Sequence, residues 1–180
     1  MSLRVFLFAH LVLLPWILQC SHYEGLGRLQ YEAHPDSQPL SAKNVADEPF
    51  QLHWPVKKVH ISQKFKRSRH KKHDGLDLTH YRGAPILAAH SGYVIYTGSQ
   101  YSGYGKMVIV EFDNTWATLY AHLNKIKVKE GDRVQVGDRI GTMGRTGRAT
   151  GTHLHFEVLK NKVPIDPLSL LSPQRNLVRN

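Results

Sequence analysis

The chain has 180 residues, a formal net charge of +10 and a single cysteine. That length suits about one domain with a core large enough to stand without covalent staples, and one thiol excludes an internal disulfide. No recognisable nucleic-acid-binding module occurs, so the excess positive charge has to be explained segment by segment.

Arg4 precedes an apolar run over residues 5–18 that is interrupted by His10 and Pro15. A basic start followed by such a run reads as an export signal. It is short for a membrane-spanning helix, and a buried N-terminal helix of the domain is the alternative. The run ends at Ile17-Leu18-Gln19-Cys20-Ser21. A sole cysteine directly after an apolar segment resembles the lipobox of bacterial lipoproteins, in which the cysteine is acylated after cleavage. Gln19 departs from the small residue preferred there, and soluble secretion is the competing fate. On the lipoprotein reading residues 1–19 are a signal peptide and Cys20 is the lipid attachment site, giving a membrane contact through the N-terminus. Residues 20–49 hold that cysteine and a polar stretch with Pro35, Pro39 and Pro49 and no apolar periodicity, which reads as a flexible linker.

Between Pro49 and His73 there is no acidic residue, while Lys57, Lys58, Lys64, Lys66, Arg67, Arg69, Lys71 and Lys72 crowd together. Such a block suits a polyanionic partner (nucleic acid, an anionic membrane or an acidic wall polymer) or a solvated loop that keeps the protein soluble. The export signal argues against nucleic acid.

From Phe50 onward short β-rich segments recur between turn signals, at 56–61, 86–89, 93–97, 107–112, 116–122, 134–136, 140–143 and 153–159. Asp113-Asn114 marks a hairpin turn between two of them. The only helical expectation is a short segment after Pro167. The pattern predicts a mainly antiparallel β domain.

The chemistry-bearing residues lie on this frame. His153 and His155 alternate with Leu154 and Phe156, so on a strand they share one face, one pleat apart. Two such imidazoles can bind a metal together, or one can bind while the other handles protons. His73 and Asp77 are four residues apart, ~13 Å if fully extended. Sharing an ion therefore requires a bend, which Gly75 permits. Two histidines and a carboxylate around an open position form a catalytic zinc arrangement, also compatible with manganese, cobalt or iron. His22, His34, His53, His60, His70, His80 and His90 read as surface or satisfied core residues. Glu157 shares the parity of His153 and His155 and can stand behind the site as an acceptor. Tyr104 and Thr152 are candidates for lining a groove or for packing.

His73-x-x-x-Asp77 with His153-x-His155 resembles the metal-site signature of the lysostaphin/LytM-type zinc endopeptidases, which cut peptides of bacterial cell walls. The surrounding segments agree in order: Gly83-Ala84-Pro85-Ile86, Gly103-Tyr104-Gly105, Tyr120-Ala121-His122-Leu123, Gly131-Asp132-Arg133-Val134-Gln135-Val136-Gly137, Gly144-Arg145-Thr146-Gly147, Gly151-Thr152-His153-Leu154-His155-Phe156-Glu157 and Pro164-Ile165-Asp166-Pro167. The match runs over residues 54–171.

The resemblance implies a folded antiparallel β-sheet of the duplicated-hybrid-motif type, with the metal site in a surface groove, in a single peptidase domain over 50–172 with a tail at 173–180. It implies zinc held by His73, Asp77 and His155, with His122 and His153 as catalytic histidines. His153 shares a strand face with His155, which favours it as the general base with His122 as the transition-state stabiliser, and the sequence leaves the reverse order open. The implied activity is hydrolysis of amide bonds in peptidoglycan stem peptides or cross-bridges, in a periplasmic or envelope location. Two alternatives stand beside it: a non-catalytic LytM-type activator of another wall hydrolase, and a basic protein that binds anionic wall polymers.

Overall fold

A computed structural model of the chain describes residues 50–68 and 72–171. The expected signal peptide, Cys20, the linker, Arg69, Lys71 and the 173–180 tail lie outside the described residues.

Almost every element is a short strand. In chain order they are β1 (Ile61–Gln63), β2 (Leu76–Leu78), β3 (Pro85–Leu87), β4 (Gly92–Gly98), β5 (Met107–Glu111), β6 (Trp116–Ala121), β7 (Leu123–Ile126), β8 (Arg133–Val134), β9 (Arg139–Met143), β10 (Leu154–Lys160) and β11 (Val163–Ile165). A 3-10 turn at Pro167–Ser169 follows, capped by the Asp166 carboxylate accepting from the Leu168 N–H at 3.0 Å. The larger sheet has the order β1-β2-β10-β6-β5-β4-β8 with β11 on β10, and the smaller one β3-β9-β7. All named pairings are antiparallel, as the sequence pattern predicts. Leu52 bridges Leu171, joining the two ends of the fold.

The period-two alternation explains both faces of the larger sheet. Leu76 and Leu78 of β2, Leu154, Phe156 and Val158 of β10 and Tyr120 of β6 enter the main core, where they meet Ile86, Leu123, Ile140 and Met143 of the smaller sheet. These side chains are almost completely enclosed. At about 1.5–3 kcal/mol per fully buried large apolar side chain, this contact supplies the main force holding one sheet on the other. The intervening residues Asp77, His155 and Glu157 occupy the opposite face, beside a smaller apolar cluster of Met107, Ile109, Leu119 and Ala121 covered by Tyr96, Tyr101 and Tyr104. One face is core and the other carries the polar site.

Three local expectations are corrected. Residues 56–58 form bends and 59–60 no regular element, so the first strand starts only at Ile61; Val56 is used as a core plug after Pro55 rather than as part of a ladder. The strand expected over 116–122 forms as β6 but ends one residue early, at Ala121, and a further strand, β7, follows it directly. His122 adopts φ 60°, and this left-handed residue turns the chain out of the larger sheet and into β7 of the smaller one. β2 and β11 are also additional to the sequence expectation. The hairpin at Asp113-Asn114 forms as expected, with the Asp113 carboxylate accepting from the N–H groups of Thr115 (2.8 Å) and Trp116 (2.7 Å).

Candidate metal centre

β2 and β10 run side by side with Asp77 opposite His155 in the register. His73 lies one short step before β2, held by a two-way backbone bridge to Lys66, with N···O distances of 2.8 and 2.9 Å. The intervening Gly75 lets the chain hug β10, since a Cβ there would come within 2.5 Å of the Phe156 carbonyl oxygen. The bend that brings His73 to Asp77 thus depends on Gly75 through close approach. Donor atoms of His73, Asp77 and His155 all lie within 4.8 Å of one another.

The hydrogen bonds settle which ring atoms face inward. His73 Nδ1–H donates to the Lys64 carbonyl at 2.9 Å, so Nε2 carries the lone pair, 3.1 Å from Asp77 Oδ1. His155 stands between two carboxylates, with Nε2 2.9 Å from Glu157 Oε1 and Nδ1 2.9 Å from the same Asp77 oxygen; with its proton on Nε2, toward Glu157, Nδ1 also turns a lone pair inward. Two imidazole lone pairs and a carboxylate oxygen converge with no hydrogen between them, which is unfavourable unless a cation lies at their centre. The donor set therefore fits a metal ion. Without a metal, a proton takes that role. Burial would depress His155, but hydrogen bonds to Asp77 and Glu157 outweigh it and raise its pKa to about 9. Burial would raise the Asp77 carboxyl, but the same bonds from His155 and His73 hold it well below the usual carboxylate range.

Behind His155 stands Glu157, fully enclosed, which also accepts from the Tyr104 hydroxyl at 2.8 Å. Its Oε2 has no hydrogen-bond partner among the described residues. A buried Glu side chain bonded to a ligating imidazole fits the carboxylate–histidine–metal pattern that fixes a ligand's tautomer.

The other two histidines stand at the edge of this cluster. His122 and His153 have ring centroids 4.6 Å apart, and His122 is 5.9 Å from His155. His122 Nδ1–H donates to the Thr146 carbonyl (2.8 Å) and His153 Nδ1–H to the Gly151 carbonyl (3.0 Å). Each Nε2 is left as an acceptor, and that of His153 lies 3.8 Å from Asp77 Oδ2. Burial, with the neighbouring His153, lowers His122 to about 4. All five sequence-predicted side chains therefore meet in one open groove, lined also by Lys72, Tyr104 and Arg148.

Sequence reasoning missed the carbonyls of Lys64, Thr146 and Gly151 that aim the rings, because any residue can supply a carbonyl. It also missed Arg148, whose loop reads as glycine punctuation.

The family model described as Peptidase family M23 matches residues 71–167, more than half of the chain. The chain belongs to peptidase family M23. Among this M23 chain's relatives, the Lipoprotein NlpD/LppB homolog of Pseudomonas aeruginosa is 42% identical over 101 residues, 56% of this chain and 33% of that one. The Peptidoglycan DD-endopeptidase ShyA of Vibrio cholerae is 37% identical over 107 residues, 59% and 24% of the two chains. The chain thus spans a third or less of the length of these two relatives. Among solved structures, a zinc containing peptidase from Vibrio cholerae superposes with a TM-score of 0.60 at 34% identity, covering 65% of this chain and 39% of that one. The catalytic domain of lysostaphin from Staphylococcus simulans does so with a TM-score of 0.56 at 30% identity, covering 62% and 90%. The mainly antiparallel, lysostaphin-like fold that the resemblance implied is the fold of this M23 chain. No helix among the described residues is long and apolar enough to cross a membrane.

Proposed function

We propose that this M23 protein is a zinc-dependent endopeptidase that hydrolyses amide bonds in peptidoglycan stem peptides or cross-bridges. The observation that carries the reading is the convergence of the His73, Asp77 and His155 side-chain atoms beside two further imidazoles, each held through Nδ1 by a backbone carbonyl. Bound zinc would supply a Lewis acid that makes water nucleophilic near neutral pH. His153, the nearer to Asp77, takes the proton from the attacking water and delivers it to the leaving amine. His122 stabilises the charge that develops on the scissile carbonyl oxygen. The neutral state that burial gives His122 suits the base role as well, and pH–rate profiles of the two single variants order the roles.

The test is release of new amino groups from purified peptidoglycan by the zinc-loaded protein, His122→Ala, His153→Ala and a chelator-treated sample. Both variants should retain metal and lose about 10²–10⁴-fold in rate. Absence of turnover by wild type on every wall type, with both variants still supporting wall cleavage in cells, would replace the enzyme with an activator.

The relatives' names include lipoproteins and wall peptidases, which supports an envelope location. We propose that Cys20 is acylated and anchors the protein, and that exposed Lys57, Lys58, Lys64, Lys66, Arg67 and Lys72, together with Arg69 and Lys71, bind anionic wall polymers. Cys20→Ser should abolish incorporation of labelled fatty acid and partition into detergent. Wild type that remains unlabelled and wholly soluble leaves ordinary secretion.

A further inference from the structure

We propose that Arg148 is a specificity residue of the groove, and that it selects peptides bearing a free carboxylate near the bond presented to the metal site. This inference rests on the endopeptidase reading and narrows its substrate class.

The first support is position. Arg148 lines the same groove as His73, Asp77, His122, His153 and His155, so a peptide lying across the ligands also passes this residue, within reach of its long side chain.

The second is rigidity. The Arg148 N–H donates to the Gly103 carbonyl at 2.9 Å, where two glycine-rich loops cross. A Cβ on Gly147 would fall 2.4 Å from that same Gly103 oxygen, and one on Gly105 2.4 Å from the Gly147 nitrogen. The loops touch backbone to backbone with no slack. The same crossing holds His122, whose N–H donates to Tyr104 O (2.9 Å) and whose ring donates to Thr146 O (2.8 Å). Arg148 and His122 are thus rooted in one rigid unit, and the spacing between their backbones is set by the fold.

The third is charge. The acidic groups lining the groove are engaged: Asp74 with Lys72 at 2.9 Å, Asp77 with His73 and His155, and Glu157 with His155 and Tyr104. Neighbouring cations are also occupied, Lys106 on the Asn124 carbonyl (3.2 Å) and Arg145 on the Ala149 carbonyl (3.5 Å). The Arg148 side chain has neither an ion pair nor a hydrogen bond among the described residues. An exposed guanidinium held at a fixed root presents a planar fork of donors, which matches a carboxylate in two-point contact. A neutral bridge of small residues offers that fork nothing to bind. A stem peptide with free carboxylates does.

The test uses stem-peptide dimers released from peptidoglycan and the same dimers with their free carboxylates converted to carboxamides. The full-length zinc-loaded protein, Arg148→Gln and Arg148→Lys are compared for kcat/KM on both. Wild type should prefer the carboxylate dimers about 10–100-fold, the range of a charge-assisted hydrogen bond. Arg148→Gln should bring that ratio to about one, and Arg148→Lys should restore part of it, with zinc content equal in all three. Binding of both dimers to His153→Ala and to His153→Ala/Arg148→Gln gives a second readout independent of turnover. If nothing is cleaved but the first binds carboxylate dimers preferentially and the second does not, the endopeptidase reading fails and the Arg148 assignment stands. A wild-type ratio near one, a ratio that survives Arg148→Gln, or no binding of either dimer overturns it.

Discussion

Asp77 Oδ1 lies 2.9 Å from His155 Nδ1, although 78 positions separate the two residues in the chain. Both atoms are acceptors when His155 donates through its other nitrogen to Glu157, so the contact demands a cation. Asp77→Ala removes one ligand and the negative charge together. Zinc content, measured by metal analysis after dialysis, should drop from about one per chain to near zero, while His153→Ala keeps most of it. Full occupancy in folded His73→Ala, Asp77→Ala and His155→Ala alike would refute the ligand set.

Glu157→Gln should weaken zinc binding about 10–100-fold, the usual effect of losing an outer carboxylate partner of a ligating histidine. Tyr104→Phe removes only one of the two donors to Glu157 Oε1 and should have a smaller effect. Competition against a zinc-binding dye reads both. Equal affinity in Glu157→Gln and wild type would show that Glu157 only fills space.

Gly147→Ala tests the loop crossing. The residue has φ 68° and its added Cβ would meet the Gly103 oxygen at 2.4 Å, so backbone strain and a rigid clash add. Stability should fall by at least about 2 kcal/mol in urea unfolding, and wall hydrolysis should fall with it as His122 shifts. Gly137 has φ 89° but open space around its Cβ position. Gly137→Ala should cost only about 1 kcal/mol and leave hydrolysis unchanged. Similar losses for both would mean that the crossing is not tight.

A separate prediction concerns acid stability. His90 is enclosed, with Nε2 2.8 Å from Thr118 Oγ1, Nδ1 2.9 Å from the Ser91 carbonyl and the Phe50 ring over it at 5.3 Å. Burial lowers its pKa from 6.5 to about 4, against the opposing pull of the Ser91 carbonyl and Asp113. The folded state therefore binds fewer protons than the unfolded chain between those two values. Stability contributed by His90 is complete above about pH 6.5 and is lost as the pH falls toward 4, with a limiting slope of about 1.4 kcal/mol per pH unit. His90→Gln should lower stability at pH 7 yet flatten the decline between pH 6.5 and 4.5. An unchanged slope in urea-unfolding midpoints would place the acid sensitivity elsewhere.

Much of this was legible in residue identity. β10 shows the two-residue period that puts Leu154, Phe156 and Val158 in the core and His155 and Glu157 in the groove, and that parity alone pairs Glu157 with His155. The acidic and imidazole side chains of the site are likewise visible as types at particular spacings. β2 and β11 were not, because three residues are too few to establish a period. The corner at His122 was hidden as well: a single left-handed residue leaves no compositional trace when it is not glycine. Nor does any sequence pattern reveal that the Arg148 side chain has no partner among the described residues, since that depends on which groups Asp74, Asp77 and Glu157 engage in three dimensions.

The pairing of β2 with β10 has a consequence for the protein's own lifetime. His73 and Asp77 come from one end of the domain and His155 from the other, so a partly folded chain offers no complete ligand set. An ion bound only by the native state raises the unfolding free energy by about 4 kcal/mol when free ion exceeds its Kd a thousandfold. Starvation for that ion should then shorten survival against proteases through the larger unfolded population, making abundance of the protein a readout of metal supply before any catalytic rate is measured.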